Sequence, residues 1–180
     1  ERRIVIENSP VLWWKEWKEL LGNKNIDERI YDVLGELCVL KYLVSNGEDA
    51  EWNGPDGASY DIETDLRFVE VKSSINRDRR EVTISSQFQL FPKEKHLDLV
   101  LCRFEPVVIS GISIDSIMEE FEIMGYNTYL LNSKLEKLGF EQGMSARKKK
   151  FKLHEMLQYK VDDNFPRITP ESFVNGVMPV

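Results

Sequence analysis

Two short alternating runs separated by a four-residue connection constrain this chain more than any other feature. Ser59-Tyr60-Asp61-Ile62-Glu63 and Phe68-Val69-Glu70-Val71-Lys72 each alternate apolar and polar residues, and Thr64-Asp65-Leu66-Arg67 joins them. Alternation with period two predicts half-buried strands, and so short a connection predicts an antiparallel hairpin. With the turn centred on Asp65-Leu66, Asp61 faces Glu70 across the ladder. Opposed side chains have Cβ atoms roughly 4.5–5.5 Å apart. Lys72 lies two residues on from Glu70 and so points to the same side. Ile62, Val69 and Val71 point the other way, towards a core.

Directly opposed carboxylates repel each other. A divalent cation removes that repulsion and turns the pair into a site. Oxygen-only ligands favour Mg²⁺, with Mn²⁺ able to substitute, and Mg²⁺ usually takes one or two carboxylates plus water and phosphate. Such an ion would activate water near Lys72 and offset charge on a scissile phosphate. Glu-x-Lys alone says little, because the chain holds a second copy, Glu16-Trp17-Lys18, on a predicted helix. There the two charges do not share a face. The strand setting and the upstream Asp61 distinguish Glu70-Val71-Lys72. The ordinary alternative is an exposed hairpin face with a Lys–carboxylate pair worth little to stability.

Around this hairpin the pattern predicts helices over about Val11–Leu21 and Asp27–Val44, the second mostly buried because its apolar face is wide. Trp52 to Gly57 is dense in turn formers. Glu81–Ser85 reads as a third strand. Ser86 to Phe91 reads as a short helix with a capping-box pair, Ser86 and Gln89. Leu97–Phe104 reads as an interior strand, and a further short strand is expected between Pro106 and Ile114. Helices are predicted at about Asp115–Met124 and Asn127–Leu138, and a late strand from Phe151 to Val161. The expected fold is α/β, a mixed sheet flanked by helices.

The 180 residues suit one domain. Within it, N-terminal helices would occupy about 10–45, an α/β core about 30–105, and C-terminal helices and strand about 106–180. Hydrophobic residues make up 42% and charged residues 31%, which is ordinary for a globular protein. The formal net charge of −7 argues against a passive nucleic-acid-coating protein. It does not argue against a cation-dependent enzyme, whose ions bring positive charge with them. No apolar run approaches the roughly 20 residues that span a bilayer, so no membrane role is expected, and the first residues lack a signal-peptide pattern. Cys38 and Cys102 each sit in an apolar run, as reduced core cysteines do, which fits a cytoplasmic, reducing setting.

Further residues strengthen the picture by resemblance. Gly35-Glu36-Leu37, Trp52-Asn53-Gly54-Pro55, Tyr60-Asp61 and Glu70-Val71-Lys72-Ser73-Ser74 resemble the PD-(D/E)XK nucleases. So do Ile84-Ser85-Ser86, Gln89-Leu90 and Phe165-Pro166-Arg167-Ile168. More narrowly, the chain is similar to a PD-(D/E)XK family found near bacterial restriction-modification and phage-defence genes. The likeness runs from about Gly35 to Ile168, and it departs from the motif where Tyr60 stands in place of proline. It implies a restriction-endonuclease-like core and metal-dependent hydrolysis of DNA. Asp61 and Glu70 would be metal ligands, with the Val71 carbonyl as a third, and Lys72 the catalytic lysine. Glu36 would be an accessory acid that reaches the metal. Gln87 and Gln89 match a region where glutamine orients the site or touches DNA in some branches, although capping explains Gln89 more simply. Glu63 shares the face of Asp61 and is a candidate extra acid.

Two basic clusters are candidates for contact with DNA: Arg77, Arg79 and Arg80, and the run Arg147-Lys148-Lys149-Lys150. Solvated loop charge explains them equally well. His96 and His154 stand alone in the sequence and are expected to be structural. Paired cuts would need two sites, so a homodimer or a place in a restriction complex is expected. The competing readings are a catalytically inactive nuclease fold that binds DNA or assembles a restriction complex, and an unrelated α/β interaction domain.

Overall fold

A computed structural model of the chain describes residues 29–76, 81–86, 88–91 and 94–169. The expected helix over Val11–Leu21 lies outside the described residues, as do Arg77, Arg79, Arg80 and Gln87.

The first described helix, α1, covers 29–45. Ile30, Val33, Leu34, Leu37, Leu40 and Leu43 recur at helical spacing and are all buried, so the helix lies against the sheet along most of its length. It stops where Gly47 takes a left-handed φ of 82° and donates to the Val44 carbonyl. That conformation suits glycine because it has no Cβ.

Five strands follow in the order β1-β2-β3-β4-β5 across one mixed sheet: Ala50–Trp52, Ile62–Thr64, Arg67–Ser74, His96–Val107 and Lys150–Lys160. Among the described residues the only parallel pair is β3 with β4. The β2–β3 turn falls at Asp65-Leu66, as the alternation predicts. Buried Thr64 holds it by accepting the Leu66 and Arg67 amides at its hydroxyl. Helices α2 (Ile114–Ile123) and α3 (Thr128–Lys137) come between β4 and β5. Ser113 and Ser116 cap α2 reciprocally, and Asn127 caps α3.

One contiguous core joins α1, α2 and α3 to Trp52, Ile62, Val69, Val71, Val100, Cys102 and Phe104. Burial of each such side chain contributes about 1.5–3 kcal/mol. On the other face, Leu97 and Leu99 are covered by Tyr60, Ile84, Leu90, Val161 and Phe165. Among the described residues that face is roofed by non-helical chain, so all three described helices pack on one side.

Three expectations are corrected. Residues 81–86 form no strand, because the run lies over the sheet face and joins no ladder among the described residues. The expected helix from Ser86 is only a turn over 88–90. There the Gln89 carboxamide oxygen accepts the Ser85 amide instead of closing a helix cap. The separate strand between Pro106 and Ile114 is absent as well. Instead β4 runs on to Val107, and only Ile112 pairs further, bridging to Phe151. One strand escaped the sequence pattern. Ala50–Trp52 is three residues long and merges into the turn formers that follow it.

Helix α1 crosses the sheet closely at Gly35. A Cβ there would meet the Ser73 Oγ at 2.1 Å. That hydroxyl is itself buried without a hydrogen-bond partner among the described residues. Gly35→Ala should therefore destabilise the fold by about 1–3 kcal/mol through overpacking. Adding Ser73→Ala removes the clash and should recover that loss, because the next neighbours stand at ordinary contact distance. Denaturant unfolding of the two single variants and the double variant checks this. A double variant no more stable than Gly35→Ala would show that helix–sheet contact is not the cause.

Candidate active site

The C-terminal half of β3 borders a cleft of about 470 Å³. Asp61, Glu70 and Lys72 line it with Asp32 and Glu36 from α1. Each acid is placed by a distinct local device. Asp61 lies one residue before β2. Its carbonyl accepts the amides of Asn53 at 2.7 Å and Gly54 at 3.1 Å. Its carboxylate turns inward, and Oδ2 accepts the Val71 amide at 2.7 Å. Ile62 pairs with Val69, so Asp61 occupies the position opposite Glu70 that the hairpin register predicts. It spends one carboxylate oxygen closing the sheet edge.

Glu70 is held by the β3–β4 ladder opposite Leu99. It is 3% exposed, and its Oε1 lies 2.8 Å from the Lys72 ammonium. Glu36 is fixed by the Trp52 indole, which donates to its Oε2 at 2.6 Å. Glycine at position 54 makes room for the two acids to approach. A Cβ there would lie 2.6 Å from Glu36 Oε2 and 3.3 Å from Asp61 Oδ1. The two carboxylates therefore face each other across the space a side chain would fill.

This crowding is visible in proton affinity. Burial, and then the charge of Asp61, pushes Glu36 up to about 8. Burial followed by Asp61 raises Glu70 to about 7, against the pull of Lys72. Asp61 is also raised, chiefly by burial and in spite of the Val71 amide. Asp32, at the exposed mouth, is raised to about 6 by partial burial against the pull of Lys72 and Arg29. Four acids that resist losing their protons mark a place where negative charge is under-compensated.

Among the described residues no three His, Cys, Asp or Glu side chains form a ready-made cation cage. The donor set nevertheless fits a hard divalent cation. It offers carboxylate oxygens only, in mutual repulsion, with open cleft for the water and phosphate that usually complete a Mg²⁺ shell. Asp61 Oδ1 and the Glu70 carboxylate would hold such an ion, with Glu36 reaching it directly or through water.

The remaining candidates divide. Gln89 lines the cleft, although its side-chain oxygen is occupied by the Ser85 amide. Glu63 does not join the site. It pairs with Lys95 at 2.6 Å, because the strand turns at Asp61 and carries the next outward residue away from the cleft. Lys148 and Lys149 are exposed and lie away from the cleft lining, whereas Arg147 of the same run is no surface charge: it is buried against Asp115 and Asn132. Sequence reasoning missed Asp32, whose signal was available: it stands four residues before Glu36, on the same helix face. It also missed the Trp52 indole and the space at Gly54, which no spacing announces. His154, alone in the sequence, meets Glu105 across the sheet at 2.8 Å.

Over residues 13–180 the chain matches the family described as "Putative PD-(D/E)XK family member". It belongs to that family. The PD-(D/E)XK superfamily consists generally of nucleases that use divalent metals, and the mixed sheet of five described strands with three described helices agrees with a restriction-endonuclease-like core. No curated protein and no solved structure matches the chain. No helix among the described residues is long and apolar enough to cross a membrane.

The raised carboxylates link cleft occupancy to stability. A group with a raised folded pKa contributes stability below its unfolded value, and that contribution is lost as pH rises through the folded value. For Glu36 the window runs from 4.5 to about 8, and for Glu70 from 4.5 to about 7. The metal-free protein should therefore melt at a lower temperature near pH 8 than near pH 5. Added Mg²⁺ or Ca²⁺ should raise the melting temperature more at the higher pH, where the acids are charged. Calorimetry at both pH values checks the sign. A larger cation effect at the acidic end would contradict it.

Proposed function

We propose that the chain hydrolyses phosphodiester bonds in DNA with Mg²⁺, for which Mn²⁺ substitutes, as a restriction or phage-defence endonuclease of the cytoplasm. The reading rests on one observation above all: Asp61, Glu70 and Glu36 crowd together beside Lys72 in an open cleft, with their proton affinities raised. Membership of the nuclease family supports it.

In this reading Asp61 and Glu70 would hold the cation, Glu36 would reach it directly or through water, and the Val71 carbonyl is a candidate further ligand. When bound, the cation supplies Lewis acidity at the phosphate and lowers the proton affinity of water. Lys72 reaches the phosphate or orients the attacking water, and its ammonium offsets charge that grows in the transition state. Glu70 keeps Lys72 in place at 2.8 Å. Asp32 at the mouth tempers the charge on Lys72 and limits how closely anions approach. The whole chain would act as one nuclease domain, as a homodimer or within a larger defence complex when both strands are cut.

Supercoiled plasmid with Mg²⁺ or Mn²⁺ tests the activity. Asp61→Asn keeps an oxygen for the Val71 amide and removes only charge, so the fold should survive. Lys72→Ala removes the ammonium. Each should lower nicking by about a hundredfold or more, the usual cost of deleting a group that stabilises a transition state. Equal cutting by the parent and both variants would point to another site or a contaminant. No cutting of DNA by a folded parent with either metal would favour an inactive binding or assembly subunit.

A further inference from the structure

Strand β3 ends at Ser74, which pairs with Arg103 of β4. Strand β4 does not end there. It continues through Phe104, Glu105, Pro106 and Val107, paired among the described residues only with Leu153 to Lys150 of β5. The register shifts between Arg103 and Phe104, where the third strand drops away. Such an irregularity bends and twists a strand pair. The outcome is a ribbon of β4 and β5, edged at Phe151 by the single bridge from Ile112, reaching about 13 Å past the last residue of β3, at about 3.3 Å per residue.

The two faces of this ribbon differ. Phe104 and Phe151 pack edge to face and belong to the core under the helices. Glu105 pairs with Lys152 and Val107 with Lys150, and these point the other way. Register places that outer face. Glu70 pairs with Leu99, Lys72 with Leu101 and Ser74 with Arg103, so Arg103, Glu105 and Val107 continue the sheet face that carries Glu70 and Lys72. Lys148, Lys149, Lys150 and Lys152 are all exposed on or beside the ribbon, in a chain of net charge −7. At the tip, where turns usually carry polar residues, Val108 is 93% and Ile109 84% exposed.

We propose that this ribbon is a duplex-DNA docking element that enters the major groove beside the cleft. Its lysines meet backbone phosphates, and Val108 and Ile109 contact the groove floor. The inference rests on the nuclease reading for the identity of the polymer. The B-DNA major groove, about 12 Å wide, admits a two-stranded ribbon. The ribbon lysines offer cationic charge on the same sheet face as Lys72. From Lys72 to Lys152 is two strand spacings across and about four residues along, on the order of 16 Å. One duplex can therefore touch both.

The test is fluorescence anisotropy of a labelled DNA duplex over a range of salt, with Ca²⁺ in place of Mg²⁺ and the DNA checked for integrity afterwards. The triple variant Lys148→Ala, Lys150→Ala, Lys152→Ala should bind more weakly. Its slope of log affinity against log salt should be shallower by about 2.7, at roughly 0.9 for each phosphate that is no longer neutralised. Val108→Ser with Ile109→Ser should weaken binding and leave the slope unchanged. Lys160→Ala, at the far end of β5, should change neither. Circular dichroism of each variant establishes that it is folded. A triple variant with the parent slope, a Lys160 variant that loses as much as the triple variant, or a parent that binds no duplex at low salt overturns the proposal. Unchanged binding after the tip substitutions removes the apolar contact from it. A protein that binds duplex through the ribbon and never cuts overturns the hydrolase reading alone. One that cuts, yet binds equally well without the lysines, overturns the ribbon alone.

Discussion

Every part of the site depends on how residue 61 is held. Its carbonyl ties down the turn that follows β1, through the amides of Asn53 and Gly54, and its carboxylate ties down β3 through the amide of Val71. A side chain that accepts a backbone amide from the neighbouring strand cannot swing away from its like-charged neighbours without leaving that amide unpaired, at a cost of about 1–3 kcal/mol. Repulsion among the acids is thus stored in the fold instead of being relieved by rotation. That is the condition under which a cation gains most from binding.

The second determinant is the tight seam between α1 and the sheet. Glycine at 35 lets the helix approach Ser73, and glycine at 54 lets the Glu36 carboxylate come up to Asp61. Neither glycine has a positive φ there, so both serve close approach and not backbone conformation. Trp52 joins the two ideas. Its ring is buried in the core, while its indole nitrogen grips Glu36. Its carbonyl accepts from the buried Lys134 ammonium of α3, which also lies 3.0 Å from Asp56. Helix α3 therefore pins the turn that walls the acid pair.

Where local pattern and tertiary setting agreed, the chain was readable. Helices α2 and α3 and strand β5 form within a residue of expectation and β3 within two, α1 ends one residue past its expected stop, and β2 begins three residues later than the alternating run from Ser59. The misreadings share a cause. Glu81 to Ser85 alternates like a strand, but strand formation needs a partner edge, and alternation does not show whether one is free. Ala50–Trp52 pairs along an edge that exists only because β2 is there, and three residues hold too little period to reveal it. Glu63 went astray for a related reason: sharing a strand face with Asp61 does not place it in the cleft once the strand bends away.

From its own alternation and turn residues, the sequence determined that Asp61, Glu70 and Lys72 would converge, because in a hairpin residue spacing sets the geometry directly. Helical spacing likewise put Asp32 and Glu36 on one face. Tertiary structure alone decided that this helix face meets that hairpin, that Trp52 and Gly54 bring Glu36 to Asp61, and that β4 and β5 outrun β3 to form a ribbon. These are contacts between segments far apart in the chain. They follow from which surfaces bury each other, and no local period encodes that.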